Sequence, residues 1–250
     1  RLQQLKETFG ADRAKVHQNE LLKLPFSLPK DMPDPDRAAA AAAKIVRLID
    51  REIKHSNDLL RDSTGVLNEI DHLVFEYYGL DQSDIALVED TFNYILPAMQ
   101  PRRSAGMQRI WENSRIEHRH AYATMLCDSL KPWFRKPIIA SLAAKSADVA
   151  ILRLSIADNK RASDYSETKS DELVPFLNQI SQSLPRRLPG NVQVVPDLRF
   201  VIGSEMYLIK PLQLRQWLRS AALADAEQIA AEFSAIVAQR DNKSVTDVSR

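Results

Sequence analysis

The sequence predicts an α+β protein in which an N-terminal helical arm is followed by a small antiparallel sheet with packed helices. Apolar residues recur at three- and four-residue steps through most of the first 136 residues, as in amphipathic helices. From Ile138 onwards, short aliphatic runs are separated by polar turns, as in hairpin strands. We therefore expect a helical region over residues 1–136, an α+β domain over 137–240 and a frayed polar tail over 241–250.

The composition is that of an ordinary globular protein. The chain has 250 residues, of which 44% are hydrophobic and 27% charged, so it can bury a core of normal size. Its longest uninterrupted apolar run, residues 38–43, is much shorter than the roughly 20 residues that a bilayer span requires. The first residues are dense with charge, unlike a secretory signal. We therefore expect no membrane segment and a cytoplasmic location.

The first elements follow from prolines and helix caps. Residues 1–23 indicate a short charged helix, and residues 24–35 form a connector because four prolines prevent regular helix there. Asp34 and Pro35 are suited to the N-cap and the first turn of a long alanine-led helix. The stripe that we predict to be buried on this helix comprises Ile45, Leu48, Ile49, Ile53, Leu59 and Leu60.

Three more helices are predicted before the sheet. After a break near residues 63–65, a second helix ends at Gly79, a residue suited to the left-handed cap conformation. A third begins after the cap residue Asp81 and buries Ile85, Val88, Phe92 and Ile95. A fourth covers Met107 to about Leu130. Its predicted core positions are Ile110, Trp111, Ile116, Tyr122, Met125 and Leu126.

The second half alternates strands with helices. Residues 138–144 and 149–156 predict one hairpin, and residues 198–202 and 206–209 predict a second hairpin with a turn at Gly203-Ser204. Residues 192–195 are also strand-like. Residues 171–184 predict a helix, as do a segment opened by Pro211 and residues 224–238. The polar stretch from Asp158 to Thr168 predicts a loop.

The motifs of the common catalytic classes are missing from the sequence. The six glycines form neither of the glycine-rich turns that hold a nucleotide or a methyl donor, so we expect no cofactor. His118 and His120 lie two residues apart on a predicted helix and cannot share one metal ion. Cys127 has no basic partner nearby and is expected to be a core residue. An independent enzyme would require the loop from Asp158 to Thr168 to complete a site.

A local excess of positive charge is the strongest functional feature. The net charge of the chain is only +1, but arginine and lysine outnumber acidic residues between residues 102 and 136. Aromatic residues lie among them, and such a combination binds phosphate backbones. An equally good interpretation makes the arginines a solvated surface and the aromatics core. The candidate nucleic-acid-binding residues are Arg102, Arg103, Arg109, Arg115 and Arg119.

Two stretches carry a resemblance to a known family. Residues 69–80, Glu-Ile-Asp-His-Leu-Val-Phe-Glu-Tyr-Tyr-Gly-Leu, are followed by Ile85 and Val88-Glu89-Asp90, with a tail at 97–103. The second stretch comprises residues 206–211, Trp217 and residues 222–226. Both are similar to regions towards the C-terminal side of adenine-N6 DNA methyltransferases of restriction-modification and phage-defence systems. The Asn/Asp-Pro-Pro-Tyr/Phe loop and the cofactor-binding glycine turn of that family do not occur here, so no catalytic residue is carried over.

The resemblance implies a region outside the methyltransferase core, or a separate subunit, that holds DNA or a partner protein. Our leading hypothesis is a DNA-binding or DNA-positioning module whose partners are DNA and a methyltransferase or another defence-system subunit. The alternative is a protein–protein interaction subunit without direct DNA contact. In that case, the proline-rich connector and the long helix would contact the partner.

Overall fold

The computed structural model describes residues 27–54, 64–99, 109–134, 136–156, 165–167, 171–183 and 198–247. The predicted helix at 1–23 and the strand-like stretch at 192–195 lie outside these ranges. The chain forms two compact units: residues 1–89 with 100–102, and residues 90–99 with 103–250. The strands of the sheet all begin after residue 137, which confirms the α+β fold class with a helical region preceding an antiparallel sheet.

Three helix boundaries of the first unit lie at the predicted cap residues Asp34, Gly79 and Asp81. Asp34 accepts a hydrogen bond from the backbone N–H of Arg37 at 3.0 Å, and α1 follows over Pro35–Lys54. The second helix, α2, covers Thr64–Tyr78 and ends at Gly79, whose φ of 64° lies in the left-handed region. The third, α3, covers Gln82–Asp90. These caps form locally, which is why the sequence predicts them.

The predicted buried stripes of these helices are partly wrong. On α1 the buried residues are Ala38, Ala41 and Leu48, whereas Ile49 and Ile53 are exposed. The alanine methyl groups of α1 instead form a small core with Tyr77 of α2. Alanine allows two helices to approach closely, so the neighbouring helix selects the alanine face. In the same way, Val88, Phe92 and Ile95 are exposed rather than buried.

The connector and the turn after α2 are fixed by polar contacts. Residues Pro29–Asp31 form a short 3-10 helix within the predicted connector. The Tyr77 hydroxyl donates a hydrogen bond to the carbonyl oxygen of Ser27 at 2.5 Å. After Gly79, the Asp81 carboxylate accepts hydrogen bonds from the N–H groups of Ser83 and Asp84, at 2.8 and 2.9 Å.

The second unit begins at the last residue of α3. Asp90 is buried, and its carboxylate accepts a hydrogen bond from the backbone N–H of Ser220 at 2.7 Å. A π-helix over Thr91–Ile95 and a short turn of helix over Leu96–Ala98 continue the chain. The compact units therefore divide at Glu89/Asp90. The sequence division at 136/137 instead marks the start of the sheet.

Among its described residues, this unit also contains three longer helices and five strands. The helices are α4 over Ile116–Leu130, α5 over Leu173–Ser183 and α6 over Arg219–Asp247. The strands are β1 over Ile138–Lys145, β2 over Val149–Ile156, β3 over Asp171–Glu172, β4 over Leu198–Ile202 and β5 over Glu205–Pro211. Among the described residues, no helix combines the length and apolar character that crossing a membrane needs.

The sheet has the strand order β3-β1-β2-β5-β4. Both predicted hairpins are confirmed: β1 pairs with β2, and β4 with β5, in antiparallel register. Gly203 makes the tight turn of the second hairpin with a φ of 62°, a conformation that favours glycine. Strand β5 also pairs with β2, and the two residues of β3 add to β1 in parallel.

Each face of the sheet packs on helices. On one face, Leu142, Leu152 and Leu208 of the strands pack with residues of α4 and α6 in the main core. On the other, Ile151, Tyr207 and Ile209 pack with residues of α5. The alternation of side chains along a strand produces these two cores from one set of strands.

Two helix predictions require correction. The helix predicted over Met107 to Leu130 is interrupted, because residues 112–114 leave the helix and pair with residues 212–214. The helix predicted to open at Pro211 does not form there, and the helix predicted over residues 224–238 is longer than expected, since α6 begins at Arg219 and includes residues 241–247 of the predicted tail. Pro211 closes β5, and a short 3-10 helix over Leu214–Gln216 precedes α6.

A buried ionic cluster lies within the main core. Lys210 is 1% exposed, and its ammonium group donates to the carboxylate of Asp225, which is 5% exposed. The same carboxylate oxygen accepts a hydrogen bond from the Tyr122 hydroxyl at 2.5 Å. The Lys210 ammonium also lies 4.7 Å from the centre of the Tyr122 ring. The cluster therefore joins α4, β5 and α6 through one carboxylate.

We expect Asp225→Ala to lower the free energy of unfolding by about 3–5 kcal/mol, because it leaves Lys210 buried without its carboxylate. The double variant Lys210→Met with Asp225→Leu should recover most of this stability, since neither residue is then charged and Arg199, 3.8 Å from Asp225 in the wild type, keeps Glu232 as a carboxylate partner. Urea denaturation of the wild type and both variants measures the effect. A double variant no more stable than Asp225→Ala would contradict this account of the cluster.

Candidate nucleic-acid interface

The structure separates the five candidate arginines. Arg102 and Arg103 lie outside the described residues. Arg109 and Arg115 are exposed, whereas Arg119 is buried at 5% exposure. Of the candidates that the structure describes, Arg109 and Arg115 are therefore the two that a phosphate backbone could reach.

Arg119 is a structural residue, which corrects its assignment to the binding surface. Its Nε and Nη2 donate to the two carboxylate oxygens of Glu167 at 2.5 and 3.0 Å. Its Nη1 donates to the carbonyl oxygen of Ser114. Each nitrogen of the guanidinium thus has a protein partner, and its burial keeps it from a phosphate at the surface.

The sequence does contain a signal for this burial. Arg119, Tyr122, Leu126 and Leu130 follow one another at three- and four-residue steps along α4. All four are buried. Arg119 therefore lies on the buried stripe of the helix. A search for apolar residues alone does not find it, because arginine is charged.

Arg109 and Arg115 lie around His118. The Arg109 guanidinium is 5.1 Å from the centre of the Tyr94 ring, and the centre of that ring is 6.4 Å from the His118 ring in an edge-to-face arrangement. The backbone N–H of Arg115 donates to Nδ1 of His118 at 3.2 Å. Tyr94 belongs to the π-helix, so an element after α3 and the start of α4 form one local cluster.

The pKa of His118 depends on its burial and on the charges around it. Burial lowers the pKa below 6.5, the charge of Arg115 lowers it further, and Arg109 and Arg119 act in the same direction. Glu117 opposes them, but the net shift is downwards. Burial is the largest cause of this shift, and the part due to the arginines indicates a positive local potential, which favours an anionic ligand.

A second cation–aromatic pair includes Trp111, which lies between Arg109 and Arg115 in the sequence. Local sequence does not reveal this pair, because its cation comes from a distant part of the chain. The Arg215 guanidinium lies 3.9 Å from the centre of the Trp111 ring. The two residues meet because Leu214 donates a backbone hydrogen bond to Glu112 at 2.8 Å and Ser114 donates one to Leu212. Arg215 thus joins the candidate surface from more than 100 positions away in the sequence.

The aromatic residues that the sequence places among the arginines have different environments. Tyr122 is fully buried and belongs to the core, and Phe134 packs against Phe233. Trp111 and Trp133 are 48% and 50% exposed. Of these four residues, the two tryptophans are available to a ligand at the surface, and Trp111 is the one covered by an arginine.

An apolar groove of about 430 Å³ lies elsewhere in the second unit. Leu130, Leu154, Met206 and Phe233 are among the residues that line it, as are the carboxylates of Glu205 and Glu232. No arginine or lysine is among its described lining residues, so this groove is not suited to the phosphates of a nucleic acid.

Metal and thiol chemistry find no support in the described parts of the chain. No group of three or more histidine, cysteine, aspartate or glutamate residues is placed there to hold a metal ion. His118 faces Tyr94 and His120 faces Tyr165, so the two rings contact different residues. Burial raises the pKa of Cys127 to about 12, which keeps the thiol protonated and unreactive at neutral pH.

The Arg119–Glu167 pair should make the free energy of unfolding depend on pH. Burial alone would raise the pKa of Glu167, but hydrogen bonds from Arg119 and Tyr165 and the charge of Arg119 lower it below 4.5. A carboxyl group with a depressed pKa stabilises the fold above its unfolded pKa, and this stabilisation is lost as the pH falls through the folded value.

We therefore expect Glu167→Gln to lower the free energy of unfolding at pH 7 by about 1–3 kcal/mol, since the buried guanidinium loses its counter-charge. The difference from the wild type should shrink below about pH 4. Thermal unfolding across pH measures both effects, with the exposed Glu117→Gln as control. A difference that is the same at pH 7 and in acid would contradict the role assigned to the pair.

In comparisons with known proteins, no protein-family model, no curated protein and no solved structure matches this chain. The assignment of a function therefore depends on the geometry and electrostatics of the site itself.

Proposed function

We propose that this chain is a DNA-binding or DNA-positioning module of a DNA methylation, restriction or phage-defence system, without a methyltransferase core of its own. The observation that carries the proposal is the cluster of Arg109, Arg115 and Tyr94 around His118, whose pKa is lowered first by burial and further by the two arginines. The resemblance of residues 69–80 and 206–211 to adenine-N6 DNA methyltransferases supports the choice of system.

Phosphate contacts supply affinity and orientation without reading sequence. Arg109 and Arg115 can neutralise phosphates because both are exposed, and Arg215 adds a third guanidinium. The Tyr94 ring restricts the Arg109 side chain before any ligand binds, which reduces the entropy lost on binding. The module would thus position a duplex for a catalytic subunit that supplies both the cofactor site and the target-base pocket.

The double variant Arg109→Ala with Arg115→Ala should weaken duplex binding and make its salt dependence shallower. Each phosphate that the protein no longer neutralises reduces the slope of log affinity against log salt by about 0.9, so a reduction of up to about 2 units is expected. Fluorescence anisotropy with a labelled duplex, across a salt series, measures the slope.

The matched control is Lys44→Ala with Arg47→Ala, which removes two exposed cations from α1. It should leave the slope unchanged. If the Arg109/Arg115 variant also keeps the wild-type slope, the arginines are solvated surface and the protein–protein interaction alternative is favoured.

DNA binding should also raise the pKa of His118. Burial is the main cause that lowers this pKa, and phosphates near Arg109 and Arg115 should cancel the further lowering that the arginine charges produce. By linkage, affinity for DNA should increase as the pH falls from about 7.5 to about 5.5, through the range where the histidine takes up its proton. NMR titration of the imidazole with and without duplex measures the shift, and His118→Gln should reduce the pH dependence of affinity, whereas His72→Gln on α2 should not. An unchanged His118 pKa in saturating DNA would place the ligand elsewhere.

A further inference from the structure

We propose that the Trp111–Arg215 pair binds an unstacked nucleobase, so that this surface prefers single-stranded or locally opened DNA to an intact duplex. The inference rests on the proposed function for the choice of DNA as the partner. The preference for single-stranded DNA rests on a different observation, the Trp111–Arg215 pair. Arginines alone would recognise the phosphates of any duplex. An exposed indole adds nothing to phosphate binding, whereas every nucleobase has a face that stacks on it.

The pair is held in place before a ligand arrives. The Arg215 guanidinium lies 3.9 Å from the centre of the indole, and its Nε donates to Oε1 of Gln213 at 3.1 Å. The Asn113 amide donates to the carbonyl oxygen of Ala147 at 2.8 Å, which fixes the segment next to Trp111 on the turn between β1 and β2. The bond to Gln213 uses Nε, so the Nη groups of Arg215 are the ones that we expect to meet a phosphate, while the exposed indole presents a face to a base.

Packing does not account for the exposure of Trp111. Trp217 shows how this fold accommodates a structural indole: it is 1% exposed, and its Nε1 donates to the carbonyl oxygen of Pro211 at 2.8 Å. Trp111 is 48% exposed and belongs to neither core of the sheet. The residues that follow it, Glu112 and Asn113, are exposed and polar.

The chemistry of the pair selects one kind of occupant. A cationic ligand is disfavoured because Arg215 already occupies a face of the indole. A purely apolar ligand would have to remove water from the guanidinium without replacing its hydrogen bonds. A nucleotide unit of a single strand satisfies both groups, since its base stacks and its phosphate accepts from the guanidinium.

The test compares binding of a single strand of about 20 thymidines and a duplex of the same length, at one salt concentration, by fluorescence anisotropy. Trp111→Leu, which keeps an apolar side chain but removes the aromatic face, should weaken single-strand binding about tenfold. Duplex binding should change less than about threefold, because its bases remain stacked on one another. Trp111→Phe should retain single-strand binding within about threefold, since a ring remains.

The matched control is Trp133→Leu, because Trp133 is equally exposed and belongs to a different element, a 3-10 helix over Lys131–Trp133. It should leave both affinities unchanged. Thermal unfolding of each variant identifies a purely structural role: a Trp111→Leu variant whose affinity for both DNA forms falls in step with its folded fraction would overturn the inference. Adenosine monophosphate serves as a competitor, and displacement of the strand by the free nucleotide at equal concentration would assign the site to a mononucleotide instead.

The outcomes also separate this inference from the proposed function. Salt-dependent duplex binding that requires Arg109 and Arg115, together with single-strand binding indifferent to Trp111→Leu, would overturn the stacking site alone. Absence of salt-dependent binding to either form of DNA would overturn both proposals.

Discussion

The packing of α4, β4, β5 and α6 in the second unit depends on the buried carboxylate of Asp225. Burying a carboxylate is strongly unfavourable unless opposite charge and hydrogen bonds compensate it. Here the compensation comes from three different elements: Lys210 of β5, Tyr122 of α4, and Arg199 of β4 at 3.8 Å. The geometry of these groups fixes how α6 lies on the sheet and how α4 lies on α6. Apolar packing alone would tolerate small shifts between these elements, whereas an ionic cluster does not.

The interruption of the helix before α4 follows from the same arrangement. Once β5 and the segment after it are fixed by Lys210 and Asp225, residues 212–214 present backbone groups beside the turn between β1 and β2. Leu212 donates to Asp148 at 2.7 Å, and Ser114 donates to Leu212. Residues 112–114 satisfy backbone hydrogen bonds there that a continuous helix would have formed within itself. This exchange places Trp111 next to Arg215 and leaves Arg115 at the start of α4.

The candidate surface illustrates how a run of similar residues acquires different roles. Arg109, Arg115 and Arg119 are spaced by six and four residues and look equivalent as charges. In the structure, Arg109 lies on an aromatic ring, Arg115 occupies the N-cap position of α4 and Arg119 is buried against Glu167. The pairing of Arg119 also ties residues 165–167 to α4. Ser166 of that segment pairs with β1, so the polar stretch that the sequence marks as a loop is anchored at its far end.

The sequence by itself determined the features that depend on neighbouring residues. Asp34 and Asp81 cap their helices with their own side chains, Gly79 and Gly203 adopt backbone conformations that favour glycine, and two aliphatic runs separated by a polar turn in residues 138–156 specify a hairpin. Each is decided within a few residues, which is why each was predictable. The basic character of residues 102–119 is likewise a property of the sequence.

Tertiary structure alone decided which face of each element is buried and which charges remain accessible. The alanine face of α1 is covered because Tyr77 packs on it, although Ile49 and Ile53 are more hydrophobic. Arg119 is drawn into the interior by Glu167, 48 positions away, and Arg215 is brought to the surface beside Trp111 from about 100 positions away. Such pairings have no local signal, because they depend on the free energy of the assembled core and not on the preference of any short segment.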